Sequence, residues 1–181
     1  MLFRSNQWII WLPGNNGIWS PSNLQKVNAY GIEASARYAW TNTTFPIQVG
    51  VNYGYTRSIN QYGLNEFDQS SVGKQLPYVP VHIANGFFKV RNKNWLGQVR
   101  LNYASLRYIT FDNEVNESLV AYALLDIAIA RSLEFNAFTF QVRTEVNNIC
   151  NTYYENVKSN AMPGRNYAVH LTIHLKNKPR P

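Results

Sequence analysis

The sequence predicts an all-β fold, an antiparallel transmembrane β-barrel segment of about eight strands. Three observations favour it: apolar and polar residues alternate over long stretches, short and long connections alternate between those stretches, and charged residues keep to the polar positions. Successive side chains of a strand point to opposite faces, so each stretch has one apolar and one polar face. Long strands of this kind are typical of outer-membrane barrels.

The second predicted strand shows the alternation most clearly. Tyr30, Ile32 and Trp40 fall on one face, whereas Glu33 and Arg37 fall on the other. The same reading along the chain predicts strands at 7–12, 26–41, 45–59, 79–91, 95–110, 120–134, 137–148 and 165–176.

Two of these strands are irregular. In 79–91 the pattern turns Phe87 inward beside Lys89. In 95–110 the alternation shifts near Ser105, which indicates a bulge.

The connections fall into two classes. Tight turns are predicted at 41–44, 92–94 and 134–136, and long polar loops at 13–25, 59–78, 111–119 and 149–164. Short periplasmic turns and long extracellular loops are the arrangement of outer-membrane barrels. Residues 1–176 are therefore predicted to form the barrel part, and 177–181 a periplasmic tail.

The faces of the last three predicted strands separate cleanly. Polar positions there are Asp126, Gln141, Arg143, Glu145, His170 and His174. Apolar positions are Leu125, Ile127, Ile129, Phe138, Phe140, Val142, Val146, Tyr167, Val169, Leu171, Ile173 and Leu175. A charge facing lipid at the middle of the bilayer costs about 2–4 kcal/mol, so the apolar face is predicted to face lipid. Aromatic residues at the strand ends predict two interfacial girdles.

Composition excludes several other classes. The 181 residues carry a net charge of +7, but the basic residues are spread over many strands, so no nucleic acid is expected as a partner. No run of about 18 apolar residues predicts a membrane helix. Cys150 is the only cysteine, which leaves no disulfide framework. The chain leads straight into a predicted strand and shows no signal-peptide pattern, so it is expected to be part of a longer polypeptide.

Several segments, in order, resemble the late barrel of TonB-dependent outer-membrane receptors. They are WIIWLP at 8–13, GIWSPSN at 17–23, GIEAS at 31–35, GKQLPYVP at 73–80, RYIT at 107–110 followed by Asp112 and Asn113, VNNI at 146–149, YY at 153–154 and MPGRNY at 162–167. The closest resemblance is to the cobalamin-receptor-like branch of Bacteroidetes-type bacteria.

The resemblance implies a barrel of about 22 strands with a lumenal plug, of which this chain would be the last third. It implies a bacterial outer membrane, a non-enzymatic importer of a large scarce nutrient such as a cobalamin or an iron–siderophore complex, and TonB acting through an N-terminal plug. Lipid, lipopolysaccharide and the barrel-assembly machinery would be further partners. The family usually ends on an aromatic residue, whereas this chain continues from Lys176 to Pro181.

Aromatic and amide side chains of the long loops are the candidate ligand-binding groups, because they stack on and hydrogen-bond to large polar ligands. They are Asn15, Asn16, Trp19, Tyr62, Phe67, Asp112, Asn113, Tyr153 and Tyr154. Loop packing or contact with lipopolysaccharide is the alternative role for each. Arg57, outward beyond Tyr55, is a candidate contact for lipopolysaccharide phosphate.

No catalytic residue, metal site or cofactor is predicted. His170 and His174 share a strand face, but four strand residues span roughly 13 Å, too far for one metal ion. Two other functions stay open. One is a self-contained eight-stranded outer-membrane barrel with a structural or adhesion role, and the other is a soluble β-sandwich binding module.

Overall fold

The computed structural model describes residues 2–13, 18–63 and 69–176. Predicted features at Asn15, Asn16, Phe67 and 177–181 lie outside these residues. The all-β antiparallel prediction is confirmed, and no described helix is long and apolar enough to cross a membrane.

Eight strands form one antiparallel sheet: β1 (Leu2–Pro13), β2 (Trp19–Trp40), β3 (Ile47–Asn60), β4 (His82–Asn92), β5 (Trp95–Ala104), β8 (Tyr122–Glu134), β9 (Phe138–Asn147) and β12 (Asn166–Leu175). Their order in the sheet is β1-β2-β3-β4-β5-β8-β9-β12. Two small hairpins complete the fold: β6 (Arg107–Tyr108) pairs with β7 (Ser118–Leu119), and β10 (Glu155–Val157) pairs with β11 (Asn160–Ala161). Within the described ranges β1 and β12 are not paired with each other, so the sheet is open.

The strand register places apolar side chains on one side of the sheet, from strand to strand. Val51 is paired with Ala36 on one side and with Gly86 on the other, and Gly86 is paired with Leu101, which in turn is paired with Leu125. Because directly paired residues point to the same side, these side chains share a face, which we call the apolar face. The opposite side, with Glu33, Arg37, Arg100 and Glu145, is the polar face.

Charged groups occur on the apolar face only near its ends, in the described strands from β2 to β12. Arg131 lies beside the short turns, with its guanidinium 5.0 Å from the ring centre of Trp95. Arg57 lies toward the long loops and is paired with Tyr30. The expected inward position of Phe87 also agrees with the register, which pairs it with Gly50 and Arg100 on the polar face.

The prediction of one strand over 95–110 with a bulge is wrong. The sheet strand ends at Ala104, and Ser105 completes its pairing by donating its backbone N–H to His82 O at 2.9 Å. The chain then leaves the sheet and enters the β6–β7 hairpin. The shift of alternation near Ser105 marks the end of a strand.

The predicted loop at 13–25 is also too long, because β2 already begins at Trp19 and β1 reaches Pro13. The two strands continue as a hairpin beyond the rest of the sheet. Leu24 and Val27 of β2 are buried with Leu76 of the following loop, and Ile10 packs against them. This apolar contact supports the extended hairpin and forms the main buried cluster, which lies at the long-loop end.

Candidate functional site

The candidate site is the long-loop end of the sheet, where three loops meet. The first loop, described at 61–63 and 69–81, follows β3. The second (105–121) follows β5 and contains β6 and β7, and the third (148–165) follows β9 and contains β10 and β11. We call these three loops together the rim. Their mutual contacts decide whether the rim is a set of separate loops or one surface.

Arg107 ties the second loop to the third. Its side chain is buried, with a relative accessibility of 5 %, although arginine is almost never fully buried without partners. Nη2 donates to Glu155 O at 3.0 Å, and Nη1 donates to Asn156 Oδ1 at 3.4 Å. The guanidinium also lies 5.0 Å from the ring centre of Tyr122. Sequence reasoning missed this role, although Arg107 stands in the RYIT segment that carries the resemblance.

Two further contacts join the same loops. Tyr122 donates its hydroxyl to Asn156 Oδ1 at 3.1 Å, and its ring lies 4.7 Å from that of Tyr154. Lys158 and Glu117 form an ion pair at 2.6 Å, but both side chains are about half exposed, so the pair adds little stability. The buried arginine is therefore the main link between the second and third loops.

Asn113 ties the first loop to the second. Its amide accepts from Gln75 N at 2.8 Å and donates to Gln75 O at 2.9 Å, so one side chain pairs with a backbone as a strand would. Gln75 is itself buried and accepts from Ser58 N at 3.0 Å. Tyr78 N donates to Tyr108 O at 2.7 Å. The rim is therefore one hydrogen-bonded unit.

The third loop starts at a side-chain-closed turn. Asn148 adopts a φ of 50°, which asparagine tolerates better than most residues. Its amide donates to Thr152 O at 2.8 Å and accepts from Thr152 N at 2.9 Å, while its backbone N–H donates to Asp126 Oδ1 at 2.9 Å. The VNNI segment thus fixes the direction in which the loop leaves the sheet.

A cleft of about 350 Å³ lies where the rim meets the polar face. Its lining is uncharged except for Arg107. Phenol and amide groups dominate it: Tyr78, Tyr122, Asn85, Asn102 and Asn156. Such a lining can stack on and hydrogen-bond to a polar ligand without selecting a charge.

Three phenols of the rim have a raised pKa. The hydrogen bond from Tyr153 to Glu155 raises the pKa of Tyr153 above its ordinary value, and burial raises the pKa of Tyr78 and of Tyr154. A neutral phenol can donate a hydrogen bond to a partner.

The sequence-predicted ligand residues take different positions. Trp19, Tyr62 and Tyr153 are exposed, and Tyr62 has the Lys26 ammonium 5.7 Å from its ring centre. Tyr154 is partly buried against Tyr122.

Asp112 and Asn113 are engaged in loop structure. Asp112 accepts from Thr110 Oγ1 at 2.6 Å and from Glu114 N at 3.3 Å, and the amide of Asn113 is used by Gln75. Arg57 is exposed on the apolar face. Their roles toward a ligand stay predictions.

Below the rim, the polar face carries an ion network centred on Glu145. Its carboxylate contacts Arg143 at 2.5 Å, Arg100 at 3.3 Å and His170 Nε2 at 3.6 Å. Arg100 also reaches Asp126 at 3.6 Å. These contacts tie β5, β8, β9 and β12 together and satisfy the charges mutually. Within the described ranges no three His, Cys, Asp or Glu side chains are grouped to hold a metal ion.

Comparison with known proteins is consistent across sequence and structure. The family model described as "TonB dependent receptor-like, beta-barrel" matches residues 3–149. A search of curated protein sequences finds no match.

Solved structures with the same fold include three receptors. The ferric preacinetobactin receptor BauA from Acinetobacter baumannii is 15 % identical with a TM-score of 0.73, over 95 % of this chain and 26 % of the receptor. The siderophore receptor PiuA from Acinetobacter baumannii is 18 % identical with a TM-score of 0.65, over 95 % and 25 %. The ferric yersiniabactin uptake receptor FyuA from Yersinia pestis is 18 % identical with a TM-score of 0.57, over 85 % and 23 %. The chain thus spans about a quarter of the length of these receptors.

Proposed function

Because the chain belongs to the TonB-dependent receptor-like β-barrel family, we propose that it forms part of the wall of an outer-membrane receptor that imports a large, scarce nutrient. The uninterrupted apolar face is the observation that carries the proposal. Ile32, Val51 and Leu171 on it are 68 %, 50 % and 65 % exposed. A soluble β-sandwich does not leave so large an apolar face uncovered, so we infer that this face contacts membrane lipid.

The height of the apolar face agrees with a membrane. On β2, ten residues separate Tyr30, near the long loops, from Trp40 at the short turn. At about 3.3 Å per residue and a tilt of about 45°, they rise roughly 23 Å, close to the ~25 Å apolar band of outer-membrane barrels. Arg57, paired with Tyr30, then lies at the headgroup level of the outer leaflet, where it can contact lipopolysaccharide phosphate.

In this arrangement the long loops are extracellular and the polar face lines a lumen. The open sheet supports a wall segment of a larger barrel, for which the resemblance implies about 22 strands, over a closed eight-stranded barrel with an adhesion role. TonB and the barrel-assembly machinery would act on the whole receptor.

For the cargo we propose an intact iron–siderophore complex or a cobalamin. The names of the structurally similar receptors favour a siderophore, and the loop segments favour the cobalamin-receptor-like branch. Both cargoes are large and polar, which suits the neutral phenol and amide lining of the rim cleft. We propose Trp19, Tyr62, Tyr153 and Tyr154 as further contacts around that cleft, with Asn15, Asn16, Phe67, Asp112 and Asn113 completing the predicted set.

Uptake by cells tests the proposal. The gene that encodes this chain would be deleted from the source cells, and the uptake of radiolabelled ferric siderophores and of radiolabelled cobalamin measured with and without a protonophore. We expect the deletion to abolish protonophore-sensitive uptake of one cargo class, and the intact gene to restore it. Unchanged uptake of every cargo would contradict the import function.

A further inference from the structure

A group of cations lies on the polar face near the short turns. Arg37 comes from β2, and Lys89 and Arg91 come from β4. Two clefts of about 420 and 280 Å³ adjoin there and share Gln48 and Lys89, the first also lined by Arg37 and Phe87 and the second by Arg91. We call this feature, made of Arg37, Gln48, Phe87, Lys89 and Arg91, the basic groove. No carboxylate lines either cleft.

The charges of the basic groove differ from the others on the polar face in having no carboxylate partner. Arg100 and Arg143 share Glu145, and Lys176 contacts Glu134 at 2.8 Å. None of the three cations of the groove makes an ion pair inside the described ranges. Glu33 is on the same face as Arg37, but four residues along β2 place it roughly 13 Å away. Three uncompensated cations create a positive potential that favours an anionic partner.

The groove also has a defined floor. Gly50 has no side chain, and a Cβ there would collide with the ring of Phe87, so the ring lies across Gly50 between Arg37 and Lys89. The Lys89 ammonium lies 5.0 Å from the ring centre. The groove thus combines an apolar floor with cations at both ends.

The spacing of the cations fits an extended peptide. Lys89 and Arg91 are two residues apart on one strand face, which is roughly 6.6 Å. Carboxylates on alternate residues of an extended peptide have the same spacing. A membrane lipid does not fit, because the groove opens on the face opposite to the apolar one.

We propose that the basic groove docks an acidic peptide segment that lies in the lumen, with carboxylates at alternate positions. The lumenal position of the groove rests on the proposed function, whereas its charge and shape do not. Two carboxylates on alternate residues of the peptide would neutralise Lys89 and Arg91. A further carboxylate would contact Arg37 on the other side of the Phe87 ring.

Peptide binding to the refolded chain in zwitterionic detergent micelles tests this. The probe is a fluorescein-labelled peptide of alternating Glu and Ser, and the control peptide has Gln in place of Glu. Fluorescence anisotropy should show binding of the Glu peptide alone, and added salt should weaken it because the pairs are partly exposed. The double variant Arg37→Gln/Arg91→Gln should bind roughly tenfold more weakly, since each partly exposed ion pair contributes a factor of a few.

The matched control is Lys74→Gln/Lys93→Gln, which removes the same charge outside the groove and should change the affinity less than about twofold. Equal weakening by both double variants would show attraction to net charge only and would overturn the proposal. Equal binding of the Gln peptide, or displacement of the probe by inorganic phosphate at lower concentration than by unlabelled peptide, would do the same.

Two controls keep the outcomes separate. Far-ultraviolet circular dichroism checks that each variant folds, and if the double variant does not, the single variant Lys89→Gln replaces it, with a loss of about threefold expected. Insertion into lipid vesicles is measured in parallel. A chain that inserts but does not bind the Glu peptide refutes the groove and leaves the receptor function standing. A chain that binds the peptide but does not insert supports the groove and leaves the receptor function to the uptake assay, because an isolated sheet whose edge strands lack their partners does not satisfy its backbone in a bilayer.

Discussion

A charge placed on one face of β3 should destabilise the protein in a membrane far more than the same charge on the other face. Val51 and Asn52 are adjacent and exposed, and they point to the apolar and the polar face respectively. Val51 lies midway between Ile47 and Tyr55, which mark the ends of the apolar face on this strand. Four residues in each direction correspond to roughly 13 Å along the strand, or about 9 Å of depth at a 45° tilt.

The guanidinium of Val51→Arg would therefore lie near the middle of the apolar band. Such a placement costs about 2–4 kcal/mol. Asn52→Arg puts the same group into the water of the lumen and should cost less than about 0.5 kcal/mol, as ordinary surface substitutions do. The two variants should therefore differ by at least about 1.5 kcal/mol, a factor of roughly ten or more in the equilibrium between inserted and unfolded protein.

Denaturant titration of the whole receptor that contains this chain, in lipid vesicles and followed by tryptophan fluorescence, measures this difference. Both variants add the same charge to the same strand, so the effect of net charge cancels. Equal destabilisation of the two variants, or a greater loss in Asn52→Arg, would refute the assignment of the lipid-facing side.

Other perturbations test the sheet and the rim. Gly31→Ala should destabilise the sheet by about 2 kcal/mol, because its Cβ would collide with a backbone oxygen of the facing strand. Gly54→Ala should be close to neutral, because its Cβ meets no atom within 4 Å. Thermal unfolding of the two variants compares these effects. Arg107→Ala should increase amide hydrogen exchange in both the second and the third loop, and exchange confined to the second loop would contradict the link between them. In Asn113→Asp the new carboxylate can accept a hydrogen bond from Gln75 but cannot donate one, so the rim should lose about 1–2 kcal/mol of stability. Limited proteolysis should then cleave the first loop faster. Unchanged cleavage would show that the pairing is dispensable.

The faces of the sheet could be predicted from the sequence because they depend only on local alternation. Tyr30 and Ile32 lie on one side of β2, and the antiparallel register places the apolar positions of the next strands on the same side. Strand ends were less predictable. The extension of β2 to Trp19 depends on burial of Leu24 under Leu76, which is distant in sequence.

For the rim, the sequence predicts where the loops lie but not which contacts join them. Asn113 was expected to face a ligand because it is an amide in a long loop, yet its partner is the backbone of Gln75, 38 residues earlier. In the sequence, Arg107 looks like an ordinary strand residue. Its burial results from the packing of the third loop, whose Glu155 lies 48 residues later in the chain. Local patterns do not contain contacts of this range.

The joined loops of the rim change the entropy of ligand capture. Separate flexible loops would each lose conformational freedom when a ligand orders them, and that loss would subtract from the affinity. Arg107 and Asn113 already hold the three loops together, so most of this entropy is lost during folding, before any ligand arrives. Binding to the rim should therefore show a small unfavourable entropy, and a ligand that touches one loop should stabilise all three against opening.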